Sequence, residues 1–370
     1  MLNNHLILFE DCRIVEGFTN ALIYDLNRPS NSNFIPKTLI HFIEKCKENN
    51  VERVLDEYDI NDRKRALEYL EFILEREFGF LADVHVKERI SKLNMDYESS
   101  SIINNSIVCL DDKNLATFPN IQKQLDLLLC INLELRCINL SISDLRVIVK
   151  SMSDSVLETI IIRLIYCEDF SSEMINSILK SNSRIKHIYI YNSPSKICEI
   201  GYTYLTTKVN FVEDCGTITK DSFTINQPFF IESQSCNTCL NKKVSVDYNG
   251  QIKNCPSSQK SFGLIGEVNL KDAILNPHLK NMWLIKKDEI EVCKDCEYRH
   301  MCLDCRVFID SSDNIYSRPS KCTYNPYIGK WEGESGFLPL EEFGVLENGK
   351  FCLDEEKVNL TMISKIQSTK

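Results

Sequence analysis

The chain has 370 residues, of which 43% are hydrophobic and 26% charged. That is the composition of an ordinary globular protein, long enough for two or three domains. Gly (12) and Pro (10) are scarce, which argues against long disordered linkers, and a formal net charge of −10 disfavours non-specific binding to nucleic acid or anionic membrane.

The opening MLNNHLILFEDCRIVEG has no basic segment followed by a long apolar core, so it does not read as a secretory signal. The densest apolar runs, Leu127 to Cys130 and Thr159 to Tyr166, are far too short to span a bilayer. The expectation is a cytoplasmic protein with reduced thiols, no membrane partner and no nucleic-acid partner.

Residues 1–90 begin with two strand-like runs, His5 to Phe9 and Leu22 to Asp25, with a turn at Glu10–Asp11 and Gly17 before the second. Pro36 fits a first helical position. Leu39, Ile40, Phe42 and Ile43 supply an apolar helical face that ends at Asn49–Asn50. Val51 to Tyr58 is mixed. A second helix is predicted from about Asp62 to Phe78, with Gly79 as its stop, and Phe80–Leu81 starts an extended segment. Hairpin, two helices and an extended piece resemble the PqqD-like winged-helix domain of peptide-maturation enzymes. The resemblance implies that a precursor's leader peptide binds as an added β-strand. A DNA-binding winged helix is the competing use, and the acidic run Glu52 to Asp59 argues against it.

Residues 91–230 alternate. Ser106 to Leu110, Leu133 to Ile142, Thr159 to Tyr166, His187 to Tyr191 and Lys208 to Val212 read as strands, the third as a buried one by composition. Asn120 to Leu129, Ser143 to Ser151 and Ser171 to Ser181 read as helices, with serines at two of the caps. Strands separated by helices predict a parallel sheet with right-handed crossovers. The segment has no Gly-rich phosphate or dinucleotide loop. No nucleophile–base or paired-carboxylate arrangement stands out. His41, His85 and His187 read as structural or exposed.

The late part of the chain carries the chemistry. Eight of the 17 cysteines fall between Cys236 and Cys322: Cys236, Cys239, Cys255, Cys293, Cys296, Cys302, Cys305 and Cys322. Three pairs are C-x-x-C. Thiolates at that spacing can converge on one centre from a tight turn, and eight make two four-cysteine sites. Disulfides are the bland alternative and fit a reduced chain poorly. Spacing alone leaves zinc and iron–sulfur both open. His300 stands between Cys296 and Cys302, where it could hydrogen-bond a cluster sulfur. The other nine cysteines (Cys12, Cys46, Cys109, Cys130, Cys137, Cys167, Cys198, Cys215 and Cys352) have no C-x-x-C partner and read as small apolar side chains. Around the late cysteines, Val244 to Lys253 reads as a hairpin turning at Asn249–Gly250, which would bring Cys239 and Cys255 to adjacent strand ends. Asn269 to Asn276 and Pro277 to Leu284 read as helices, with Trp283 packed. Trp331 to Lys370 reads as a covering extension with a turn at Asn348–Gly349 and a frayed end from Thr361.

The run Cys239-x10-Gly250-x4-Cys255, then Cys293-x2-Cys296-x5-Cys302-x2-Cys305, then Cys322 resembles the SPASM domain of radical-SAM peptide maturases. The family has three residues where this chain has Leu303 and Asp304, a deficit that falls on the site using Cys305. The resemblance implies two auxiliary [4Fe–4S] clusters, one on Cys236, Cys239, Cys255 and Cys305, the other on Cys293, Cys296, Cys302 and Cys322. It also implies a partial (β/α) barrel ahead of the cysteine region. Such a barrel holds its radical-generating cluster on a C-x3-C-x2-C loop, and this sequence has none; Cys130 and Cys137 are the nearest candidates. The combination resembles the SPASM protein of grasp-with-spasm systems, which works beside an ATP-grasp ligase and a precursor peptide. The expected fold class is therefore α/β plus α+β. Residues 1–90 form a PqqD-like leader-binding domain, 91–230 a degenerate partial (β/α) barrel, 231–330 a SPASM metal-binding domain and 331–370 a C-terminal extension. The expected role is accessory to peptide maturation. Direct redox modification of the peptide, or a zinc-stabilised interaction module, are the alternatives.

Overall fold

The computed structural model describes residues 4–347 and 350–368, with side chains as far as 361. The N-terminal part contains β1 (His5–Leu8), β2 (Cys12–Glu16), β3 (Ala21–Asp25), β4 (Asn33–Ile35), α1 (Lys37–Glu48), α2 (Val51–Asp56), α3 (Ile60–Glu75), β5 (Gly79–Ala82) and α4 (Val84–Arg89). Strands β2, β3 and β4 form an antiparallel meander. The two runs expected to form a hairpin do not pair. Strand β1 pairs instead with β5, beyond three helices. Strand β2, with Arg13 and Glu16 in it, was too polar to register as a strand, and it takes the hairpin role. Leu39, Phe42, Ile43, Leu55 and Ile73 from the helices bury against Leu6, Ile23 and Phe78. Asn50 caps α2 by accepting from Arg53 N, and Asp59 caps α3 by accepting from Asn61 N and Asp62 N. Pro36 precedes α1 as its cap rather than opening it. Helix α3 ends before the expected stop: Glu77 takes the left-handed conformation at φ 53°, and Gly79 belongs to β5.

The middle of the chain alternates as its sequence predicts: β6 (Asn105–Leu110), α5 (Phe118–Leu127), β7 (Asn132–Cys137), α6 (Ile142–Ser151), β8 (Thr159–Ile165), α7 (Ser172–Ser181), β9 (Ile185–Tyr191), β10 (Ile197–Glu199), β11 (Tyr202–Tyr204), α8 (Gln227–Ser233), β12 (Lys243–Val246) and β13 (Ile252–Lys253). Together they build a mixed α/β unit around one eight-stranded sheet in the order β10-β11-β9-β8-β7-β6-β12-β13. The six inner strands are parallel and the two edge strands antiparallel. Ser171 caps α7 as expected, whereas α6 is capped two residues early by Ser141, in a reciprocal box with Asp144. The run 208–212 is not a strand. There the Asn210 side chain accepts from Val212 N and Asp214 from Asn210 N, so side chains capture the backbone groups a ladder would need.

The sheet is covered unevenly. Leu133, Leu135, Ile160, Ile162, Leu164, Ile188 and Ile190 point to one face, where they form the main core with α5, α6, α7 and α9 (Leu270–Leu275). The alternating residues Glu134, Arg136, Arg163, His187, Tyr189 and Tyr191 point to the other face. Strand β8 is therefore buried on one side only, unlike the two-sided burial its composition suggested.

The remaining elements are α10 (Pro277–Asn281), β14 (Tyr324–Asn325), β15 (Lys330–Trp331), β16 (Gly344–Glu347), β17 (Lys350–Leu353) and α11 (Glu355–Ser368). Trp283 is buried in the main core. The tail covers the cysteine region, since Leu340, Phe343 and Val358 pack with Val292, Tyr327 and Ile328. The expected turn at Asn348–Gly349 lies outside the described residues. The end expected to fray is helical as far as Ser368, and 369–370 lie outside the described residues. No described helix is long and apolar enough to cross a membrane.

Candidate functional site

The β12–β13 hairpin fixes the first group of sulfurs. Cys239 stands just before β12 and Cys255 just after β13, so antiparallel pairing brings these distant thiols to the same end of the sheet. Cys305 accepts from Phe308 N at 3.5 Å. Burial pushes the Cys255 thiol up to about 11, with a further push from Cys239 and opposition from Lys243. Burial also raises Cys305, whose sulfur neighbours are Cys239 and Cys215. Lys243 donates to Cys239 Sγ at 3.7 Å. Its ammonium is disfavoured by burial, yet its pKa is raised, because Cys239, Cys255 and Glu134 surround it with negative or ionisable groups. Cys236 faces elsewhere. Its sulfur meets Ser235 Oγ at 3.6 Å, and its charged neighbours are Glu232 and Lys242.

The second group lies at the short helical turn Cys293–Asp295 and the segments after it. Cys293, Cys296, Cys302 and Cys322 act on one another electrostatically. Burial raises Cys293, Cys296 and Cys302, the last to about 12. Lys287, only 3% exposed, donates to Cys293 Sγ at 3.7 Å and lies 3.6 Å from Asp304 Oδ1. Asp304, which sits in the short spacer between Cys302 and Cys305, pairs with Arg306 at 2.7 Å and accepts from Asn237 Nδ2 at 2.7 Å. Buried charges need partners of opposite sign, and here each group of thiols is faced by a lysine.

All 17 cysteines are free thiols. Among the described residues, no group of three or more His, Cys, Asp or Glu side chains is already arranged to hold a metal ion. The chemistry of the donors fits a soft metal or cluster. Thiolates are its ligands, and cations beside them favour the ionised form.

The polar face of the sheet adjoins the first group. Glu134 takes Arg136 at 2.7 Å and Arg163 at 3.2 Å. Burial opposes ionisation of Glu134, but the two guanidiniums outweigh it and hold its pKa down. Arg163 also donates to Tyr191 Oη at 2.6 Å and lies over the Tyr189 ring. Arg136 reaches Phe211 O at 2.6 Å and Cys215 Sγ at 3.9 Å. His187 shares this face and meets Thr203 Oγ1 at 3.0 Å. A polar face of this kind can engage peptide carbonyls and carboxylates.

A third feature joins the N-terminal strands to the cysteine region. Glu297, fully buried at 0% exposure, follows Cys296 directly. It accepts from Tyr324 Oη at 2.5 Å and Asn20 Nδ2 at 3.1 Å, while its carbonyl accepts from Tyr24 Oη at 2.5 Å. Val15, Leu22 and Tyr24 bury there with Tyr298, Met301, Tyr324 and Trp331. His300 bonds with Ser233 Oγ at 3.1 Å rather than with a sulfur, and burial lowers its pKa to about 4.

Beside this joint runs a groove of 820 Å³ lined by Leu6, Leu8, Ile40, Ile43, Lys47 and Lys87, among others. Strand β1 has β5 on one side only. Phe9 N donates to Phe78 O at 2.9 Å, and antiparallel alternation then turns the backbone groups of Leu6 and Leu8 to the open edge.

No protein-family model matches the chain, and no curated protein does. Solved structures do. Streptococcus suis SuiB is similar at 12% identity and a TM-score of 0.32, over 85% of this chain and 99% of that one. SuiB bound to precursor peptide SuiA is similar at 10% identity and a TM-score of 0.29, over the same shares. SuiB bound to S-adenosylmethionine is similar at 12% identity and 0.29. At these TM-scores the likeness does not establish a common architecture.

Several working residues were invisible in sequence. Lys243, Lys287, Glu297 and the Glu134–Arg136–Arg163 set look like ordinary charged positions until the fold buries them. Cys215 has no C-x-x-C partner. Its one signal is that it alone among the cysteines is followed by Gly, in a chain with 12.

Proposed function

We propose that the protein is a peptide-maturation factor. It holds a precursor's leader in the N-terminal groove and presents the rest of the peptide to the polar face beside two thiolate-bound centres. Residues 1–90 act as a PqqD-like recognition domain, 91–230 as a barrel fragment without a radical-generating cluster and 231–330 as a SPASM-type region, with 331–370 covering it. The centres are [4Fe–4S] clusters that orient or stabilise, and the crosslinking chemistry belongs to an ATP-grasp ligase partner. The observation that carries this reading is the joint at Glu297. The β2–β4 meander, whose strand β2 lines the same groove as the open edge of β1, is hydrogen-bonded through Asn20 and Tyr24 to the residue after Cys296. A peptide added to β1 would gain main-chain hydrogen bonds for affinity and the Ile40 and Ile43 wall for selectivity.

The test is co-elution of the purified chain with the products of its neighbouring genes, among which the proposal expects a short precursor peptide and an ATP-grasp ligase. The proposal expects a complex with the precursor that is lost when the leader is removed, and that recruits the ligase. A chain that ignores both would overturn it. Leu8→Pro, which removes a donor from the open edge of β1, is expected to weaken leader binding at least tenfold while the far-UV spectrum stays that of the parent.

A further inference from the structure

The geometry points to Cys215, in place of Cys236, as the fourth thiolate of the centre that uses Cys239, Cys255 and Cys305. The inference rests on the reading that late thiols hold inorganic centres, and it changes which residue completes one of them.

Three observations carry it. The chain passes Cys305 at Gly216 with φ 85°, and a Cβ at Gly216 would stand 2.9 Å from Cys305 Sγ. Only glycine permits both that conformation and that approach, so the backbone immediately after Cys215 is pressed against the Cys305 sulfur. Second, the loop is held there from the cysteine region. Lys321 Nζ donates to Cys215 O at 2.9 Å, and Ile218 N donates to Lys321 O at 3.2 Å in a parallel bridge between Ile218 and Cys322. Third, Cys215 lies among the side chains that face the other three sulfurs. Its sulfur lies 3.9 Å from the Arg136 guanidinium, and Lys243, which donates to Cys239 Sγ, counts both Cys215 and Cys255 among its neighbours. Cys236 has other neighbours, Glu232 and Lys242. Cys255 and Cys305 both have Cys215 as an electrostatic neighbour.

The position also explains the short spacer. Leu303 and Asp304 leave one residue fewer before Cys305 than the SPASM pattern has. Asp304 is pinned by Arg306, Lys287 and Asn237, which fixes Cys305 where the Gly216 turn meets it. A centre built around Cys305 so placed draws its fourth ligand from the 215 loop.

The experiment is thiol mapping on the full chain purified without oxygen. The metal-loaded protein and a chelator-stripped sample are alkylated, and each cysteine is read by peptide mass. The proposal expects Cys215 to be protected together with Cys239, Cys255 and Cys305 and to become reactive on stripping, while Cys236 reacts in both samples. Protection of Cys236 with a reactive Cys215 overturns the proposal and leaves the two-centre reading intact. Failure of Cys239, Cys255 and Cys305 to be protected overturns both. Cys215→Ala and Cys236→Ala supply the second readout: iron, sulfide and zinc per chain. Cys215→Ala is expected to lose about half of the bound metal, and Cys236→Ala to keep all of it. The centre on Cys293, Cys296, Cys302 and Cys322, followed by its absorption, reports whether each variant still folds. The reverse pattern of loss contradicts the proposal.

Discussion

Asp25 shows how one buried carboxylate holds a loop. Burial opposes its charge, but hydrogen bonds from Asn31, Arg28 N and the Arg28 side chain outweigh burial and lower its pKa. Arg28 in turn pairs with Glu77, at the end of α3. A carboxylate whose folded pKa is depressed adds stability that is fully present above its unfolded value near 3.8 and is lost as pH falls below that value through the lower folded one. Asp25→Asn is expected to cost about 2 kcal/mol at neutral pH. It should also flatten the acid limb of stability below about pH 4, measured by urea unfolding across pH. Glu297 works at the same scale with a different consequence. Glu297→Gln keeps its shape and removes a buried carboxyl group that accepts from Tyr324 and Asn20. Tyr24→Phe deletes one hydrogen bond to the same residue's carbonyl. Expected losses are about 1 kcal/mol for Tyr24→Phe and about 2 for Glu297→Gln. Equal losses would mean that the carboxylate itself is unimportant to the joint.

At the scale of elements, the sequence was most legible where periodicity and caps agree. Helix α7 begins at its predicted serine, and β6, β7, β8 and β9 lie where apolar runs place them. The N-terminal pairing was not legible, because β1 finds its partner only after three helices have packed, and β2 carries too many charges to look like a strand. Nor was the one-sided burial of β8. TIIIRLI reads as apolar throughout, and only the sheet reveals that Arg163 turns away from the helices to meet Glu134. That face yields a prediction. Glu134→Gln leaves Arg136 and Arg163 without their shared anion, and is expected to destabilise the fold by about 3 kcal/mol in thermal or denaturant unfolding. Glu134→Gln combined with Arg163→Gln should recover part of that loss, because the second change removes the charge the first leaves unbalanced.

For the whole molecule, three segments far apart in sequence meet at the late cysteines: the β2–β4 meander, the sheet end at β12–β13 and the tail after Cys322. Composition announced the eight clustered cysteines and their pairwise spacing. It did not announce which distant single cysteine the fold would add, because Cys215 arrives by way of a loop set by Gly216 and Lys321. If the centres close the structure, removing them separates those segments. Chelation of the metal-loaded protein is therefore expected to lower Tm by at least about 5 °C. The central claim is that the late thiols gather around two inorganic centres. The most direct measurement is metal and acid-labile sulfide per chain in protein purified under strict anaerobiosis. The account predicts about two centres per chain, as iron with matching sulfide, and protected thiols at Cys239, Cys255, Cys293, Cys296, Cys302, Cys305 and Cys322. Protein without bound metal, in which those same cysteines all react freely, would contradict it.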